Sequence, residues 1–220
     1  MNIQNFAVDE REKELEKIKN EVLSCRKCEL WKTRTNIVFG EGNASAGIMI
    51  ISEAPGYNED KEGCPFCGAA GNILNELFTF VGIKREEVYI CNLLKCRPPG
   101  NRNPQKEEIE ACTPYLEKQI EIIKPAVICT LGNYSTAYIM EKYGLKDQIQ
   151  GISRIHGKVF EVESLFQNIR TRSLRSQNLD FSLCSKMKII PLYHPAVATY
   201  NPNMKEILKE DFKILQKFKN

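Results

Sequence analysis

Four short runs rich in isoleucine and valine punctuate the chain: Ile48 to Ser52, Val88 to Cys91, Val127 to Leu131 and Lys188 to Leu192. Runs of this kind predict strands buried on both faces. Between them the apolar residues recur at helical spacing, around Ile73 to Phe80, Glu107 to Ile123 and Tyr134 to Tyr143, with a last helix from Met204 to Phe218. Ahead of them the charged segment Asp9 to Leu23 carries Leu15, Ile18 and Val22 on one helical stripe. Strands alternating with helices predict an α/β fold, a parallel sheet covered by helices on both faces. The stretch 163–186 breaks the rhythm with Ser, Asn, Gln and Arg and reads as a surface insertion within one domain spanning residues 1–220.

In open parallel sheets the ligand site lies beyond the carboxyl ends of the strands. The residues there are Ser52-Glu53-Ala54-Pro55-Gly56, Asn92, Gly132-Asn133 and His194-Pro195-Ala196. A carboxylate, a carboxamide and an imidazole are therefore expected along one edge. Taken singly, each has an ordinary structural use in a turn or strand end; their joint placement argues for a site.

Composition adds scale and compartment. A chain of 220 residues, 42% hydrophobic and 27% charged, holds enough apolar material for one sizeable core. Its longest apolar run, Ile48 to Ile51, is far too short to cross a bilayer, and the N-terminus has no signal-peptide pattern, so a soluble intracellular protein is expected. A net charge of +3 permits a polyanionic partner without requiring one. Two local groups, Lys95, Arg97 and Arg102, and Arg170, Arg172 and Arg175, are candidate phosphate contacts.

Nine cysteines are unusual for a reducing compartment and point to metal or cluster ligation. Cys25 and Cys28 form one pair at two-residue spacing, Cys64 and Cys67 another, and Cys96 and Cys112 a wider one. A zinc ribbon from the two close pairs needs a shorter separation than Cys28 to Cys64 offers. Cys25, Cys28, Cys96 and Cys112 are one candidate iron-sulfur set, favoured over the two close pairs, with Arg26, Lys27, Lys95 and Arg97 nearby to offset thiolate charge. Cys91 and Cys129 sit in strand patterns as small buried hydrophobes, and Cys184 falls in the irregular stretch.

The spaced motifs Ser52-Glu53-Ala54-Pro55-Gly56, Gly63-x-Pro65-Phe66-x-Gly68-x-Ala70-Gly71, Asn92-Leu93-Leu94-Lys95-Cys96-Arg97-Pro98-Pro99, Leu131-Gly132-Asn133 and His194-Pro195-Ala196 resemble the family 4 uracil-DNA glycosylases. The likeness runs from about Cys25 to the C-terminal helix. It implies a three-layer α/β/α fold around a four-stranded parallel sheet, and a structural [4Fe-4S] cluster on Cys25, Cys28, Cys96 and Cys112. It implies that uracil is flipped out of the DNA stack into a pocket and hydrolysed from its sugar, leaving an abasic site. In that reading Glu53 and His194 are catalytic, Phe66 stacks on the base, Asn92 reads its edge, Gly56 lines the pocket, and Glu59 stands where a carboxylate crowds C5 and rejects thymine. The implied partner is uracil-containing DNA in the cytoplasm or nucleoid, met by a monomer, with a sliding clamp as a further candidate.

The chain departs from the family pattern in places. Ser52 stands where glycine is usual, and Val197-Ala198-Thr199-Tyr200 replaces the bacterial Tyr-Leu-Leu-Arg wedge, leaving Tyr200 as the candidate to fill the space of the flipped base. A related group of uracil-binding proteins bonds covalently to the sugar through a histidine in an Arg-Ile-His loop after the second-strand asparagine. That interval here, Arg97 to Pro104, has no histidine, so His156, in its own Arg-Ile-His sequence, is read as a surface or DNA-adjacent residue. Three other classes stand beside the glycosylase: a non-catalytic uracil-DNA binding protein, a redox protein using Cys64 and Cys67, and a zinc-bound nucleic-acid module.

Overall fold

A computed structural model describes residues 3–163 and 186–219. Its centre is a six-stranded sheet in the order β1-β3-β2-β4-β6-β5. The strands are β1 (Glu41–Gly42), β2 (Ile48–Ser52), β3 (Tyr89–Asn92), β4 (Val127–Leu131), β5 (Phe160–Glu163) and β6 (Lys186–Leu192). The four expected strands form the parallel centre, β3-β2-β4-β6. Two short antiparallel strands, β1 on β3 and β5 on β6, extend it at the edges.

Every residue of β2, β3 and β4 is buried, as continuous apolar runs demand. β5 alternates instead, with Val162 turned inward between exposed Glu161 and Glu163. β3 ends one residue later than the apolar run suggested, so Asn92 is its last residue, opposite Ser52 of β2.

Helices cover both faces. On one side α1 (Ile3–Leu23), α4 (Lys106–Ile123) and α5 (Asn133–Lys142) pack against Met49 and Ile51 of β2 and Tyr89 and Cys91 of β3. On the other, α3 (Ala69–Val81) and the C-terminal helix α8 (Met204–Phe212) pack against Ile48 and Ile50 of β2 and Ile90 of β3. The alternation of even and odd residues on one strand thus feeds two separate cores, the three-layer α/β/α arrangement. Short helices α2 (Tyr57–Glu62), α6 (Ile152–Ile155) and α7 (Val197–Tyr200) lie in the connections. No helix among the described residues is long and apolar enough to cross a membrane.

Chain order gives the sheet its crevice. β2 connects through α2 and α3 to β3 on one side, and the chain then crosses back through α4 to β4 on the other side of β2. Such a reversal leaves a gap at the carboxyl ends of the central strands. The expected insertion at 163–186 is bounded by Glu163 at the end of β5 and Lys186 at the start of β6, and residues 164–185, with Arg170, Arg172, Arg175 and Cys184, lie outside the described residues.

Candidate active site

A cleft of about 490 Å³ opens at the carboxyl end of the sheet, and Glu53, Gly56, Glu59, Phe66, Asn92 and His194 all line it. The edge that joins them is continued past the strands by Leu93 N–H to Ser52 O at 2.9 Å and Leu94 N–H to Glu53 O at 3.1 Å. Glu53 and Asn92 are therefore fixed by backbone pairing as well as by their strands.

Glu53 is half-buried, and burial raises its carboxyl above the usual range. Asn92 is buried at the cleft floor. His194 keeps some surface in the cleft but is enclosed by enough protein to push its pKa down to about 4, through burial. Its Nδ1 accepts the Ala196 N–H at 3.1 Å. A neutral imidazole with Nδ1 as acceptor carries its proton on Nε2, so the ring presents a donor to the cleft.

Glu59 has a structural duty that the sequence did not reveal. Its two carboxylate oxygens accept the N–H groups of Gly56 at 3.1 Å and Gly68 at 3.2 Å, tying the turn after β2 to the loop that carries Phe66. A side chain on Gly56 would approach Glu59 Oε2 to 2.7 Å, so any larger residue there must displace that carboxylate. Phe66 is buried with φ of 52°, a left-handed conformation imposed by that loop, and its ring stacks near His194 with centroids 5.5 Å apart and planes 25° apart. The start of α3 presses on the same loop: a Cβ at Gly71 would fall 1.8 Å from the Phe66 carbonyl oxygen. The closing glycine of the GCPFCGAAG stretch is thus a close-approach residue.

Two exposed tyrosines mark the rim, Tyr200 on α7 and Tyr57 at the start of α2. Tyr57 carries the Arg97 guanidinium 5.1 Å above its ring, a contact between the start of α2 and the basic loop that no sequence spacing signals. The basic loop differs from expectation. Arg97 and Arg102 are accessible in part, but Arg102 is bound bidentately to Glu108 at 2.5 and 2.9 Å. Lys95 is not a phosphate contact: it is fully buried, donating to the Asn92 carbonyl at 2.9 Å and to Gln119 Oε1 at 2.6 Å. The two leucines before it, Leu93 and Leu94, are fully buried and mark in the sequence that this segment enters the core.

Cys25, Cys28, Cys96 and Cys112 line one small cavity between α1, the loop after β3, and α4. Among the described residues no three His, Cys, Asp or Glu side chains stand ready-made as a metal-ion site. Burial raises the thiols of Cys28, Cys96 and Cys112, the last to about 12, and each of these three is pushed further up by at least one other sulfur of the set. Two donors already point at the sulfurs, Arg34 Nη1 at 3.2 Å from Cys96 Sγ and Lys95 N–H at 3.2 Å from Cys112 Sγ. Four cysteines around one cavity, with a cationic and an N–H donor already on two of the sulfurs, suit a group that is held by thiolates, whose charge those donors would offset. Of the expected cations, Arg26 rests on Trp31 and Lys27 on Tyr115; the side-chain cation on a sulfur is instead Arg34, which is not among them.

Cys64 and Cys67 flank Phe66 in the cleft loop, outside that cavity; Cys67 is exposed, and its thiol is raised by what burial it has and by the Cys64 sulfur beside it. Cys91 and Cys129 are fully buried in strands, as expected. His156 is not a free surface residue: its Nδ1 meets both Asp211 oxygens at 2.8 and 2.9 Å and its ring lies 4.5 Å from that of Tyr193.

The model of the uracil DNA glycosylase superfamily matches residues 39–217. A type-4 uracil-DNA glycosylase of Sulfurisphaera tokodaii is 48% identical over 90% of this chain and 82% of its own length. The like-named protein of Archaeoglobus fulgidus is 44% identical over 90% of both chains, and that of Thermotoga maritima 37% identical over 94% of this chain and 96% of its own.

Proposed function

This chain belongs to the uracil-DNA glycosylase superfamily, and on that premise we propose that it excises uracil from DNA by hydrolysing the N-glycosidic bond, with Glu53 and His194 as its catalytic groups. The observation that carries the reading is the single cleft in which a half-buried carboxylate, a neutral histidine, a buried carboxamide and an aromatic face meet. No strand cleavage belongs to this chemistry.

Bond breaking leaves positive charge on the sugar and negative charge on the base, so an anion is needed near one and a donor near the other. Glu53 supplies the anion and orients or deprotonates the attacking water. His194 donates from Nε2 to O2 of the departing base; a neutral donor avoids placing a second full charge in the cleft. Phe66 is the stacking face, and Asn92 accepts from N3–H and donates to O4. Cytosine reverses that pattern, and a buried mispaired polar group costs about 1–3 kcal/mol. Glu59 keeps its proposed place against C5 because the Gly56 and Gly68 N–H groups hold it still.

Cys25, Cys28, Cys96 and Cys112 are read as ligands of a [4Fe-4S] cluster, which supplies structure rather than reaction chemistry. The macromolecular partner is uracil-containing DNA within the cell, bound by a monomeric single-domain protein; a sliding clamp is a second candidate. A cluster-replete preparation is expected to release free uracil from a uracil-containing oligonucleotide and leave an alkali-labile abasic site. Tight retention of the DNA with no release would favour the non-catalytic binding protein instead.

The redox reading makes an opposite claim about the cleft dithiol. The Cys64→Ser, Cys67→Ser double variant is expected to keep wild-type iron content and uracil release within about twofold, because neither sulfur lines the four-cysteine cavity. Loss of visible absorbance in that variant would move the cluster ligands to the cleft loop.

A further inference from the structure

Ser52 is the last residue of β2, 1% exposed at the floor of the cleft. Among the described residues its Oγ is the sole buried side-chain oxygen or nitrogen without a hydrogen-bond partner. A lone buried hydroxyl is costly, and alanine would fill nearly the same space without it. Such an atom in a ligand cleft argues for a partner that arrives with the ligand.

The sheet says which part of the ligand that is. Ser52 and Asn92 are register partners on adjacent parallel strands, so their side chains rise side by side from the same face. That face also carries Ile48, Ile50 and Ile90, which pack with Phe66 and α3. The hydroxyl therefore stands beside the carboxamide and on the side of the aromatic platform. A carbonyl oxygen has two lone pairs, and the Asn92 amide uses one of those on O4.

We infer that Ser52 is a base-binding residue whose Oγ–H donates to the second lone pair of uracil O4, beside Asn92. The inference rests on the proposed glycosylase reading. As the glycosidic bond breaks, negative charge spreads onto the base oxygens, and a hydrogen bond to a charged acceptor is stronger than one to a neutral carbonyl. Ser52 thus acts more on the rate of release than on the affinity for DNA. Because a hydroxyl also accepts, rejection of cytosine stays with Asn92.

The test compares wild type with Ser52→Ala in three measurements on cluster-replete protein: single-turnover uracil release, binding of free uracil by calorimetry, and the thermal midpoint. The expected result is about a tenfold slower release, several-fold weaker uracil binding, and a midpoint unchanged or higher, since the substitution removes an unpartnered polar atom. Equal uracil affinity in the two proteins overturns the inference, whether or not release slows, since the hydroxyl would then not touch the base. A lower midpoint overturns it too, by showing a structural bond. Failure of wild type to release uracil sinks the glycosylase reading separately, while calorimetry still reports on Ser52.

Discussion

Replacing Glu53 with alanine is expected to slow uracil release by about a thousandfold while leaving affinity for uracil-containing DNA nearly intact. The size follows from two losses at one atom pair. In the proposed mechanism the carboxylate offsets charge on the sugar in the transition state, inside a cleft whose low polarity strengthens that interaction, and it aligns the water. Both are weak in the ground state, so the loss falls on the rate constant rather than on binding. Glu53→Gln separates them: it can still hold water but carries no charge. His194→Ala is expected to cost less, about a hundredfold, because it removes one donor from a leaving group that Asn92 also contacts. If Glu53→Ala and His194→Ala both release uracil at the wild-type rate, the catalytic assignment fails.

Acid should reveal the same carboxylate. The proposed mechanism requires Glu53 ionised and His194 neutral. Burial raises the Glu53 carboxyl and lowers the His194 imidazole to about 4, so as pH falls Glu53 is the first of the two to take up a proton. Activity should fall on a single acid limb set by Glu53, above the ordinary carboxylate range, and Glu53→Gln should flatten it. A limb near the ordinary histidine value would instead assign the titration to His194.

The strands were legible because a two-faced burial requirement leaves an unbroken apolar run, and Ile48–Ser52 and Val127–Leu131 match their observed bounds. The edge strands were not, since Glu41–Gly42 has no side-chain pattern and Phe160–Glu163 is mostly exposed. At the site, residue types and strand ends were enough to locate Glu53, Asn92 and His194. What sequence spacing could not supply was the use of each polar atom: that Glu59 bridges two loop N–H groups, that Lys95 points into the core, or that Ser52 Oγ is left unpaired. Those depend on how distant backbone segments meet, which no local pattern encodes.

Cys112→Ser is expected to lose most of its iron and visible absorbance, and to unfold about 10 °C or more below wild type, in line with a stability loss of several kcal/mol in a chain of this size. In the absence of iron the site must hold protonated sulfurs, since burial pushes Cys112 up to about 12 and raises Cys28 and Cys96 as well. Ligation requires those protons to leave, so iron retention in the wild type should weaken towards low pH. The damage should also reach the cleft. The Lys95 N–H is bonded to Cys112 Sγ, while its Nζ holds the Asn92 carbonyl. One buried lysine therefore links Cys112, the proposed α4 ligand, to Asn92, the proposed reader of the base. Residual Cys112→Ser protein, assayed below its midpoint, should bind free uracil more weakly than wild type. Cys91→Ala, a buried strand cysteine outside the cavity, should keep its iron. Wild-type iron content in Cys112→Ser would remove α4 from the cluster site.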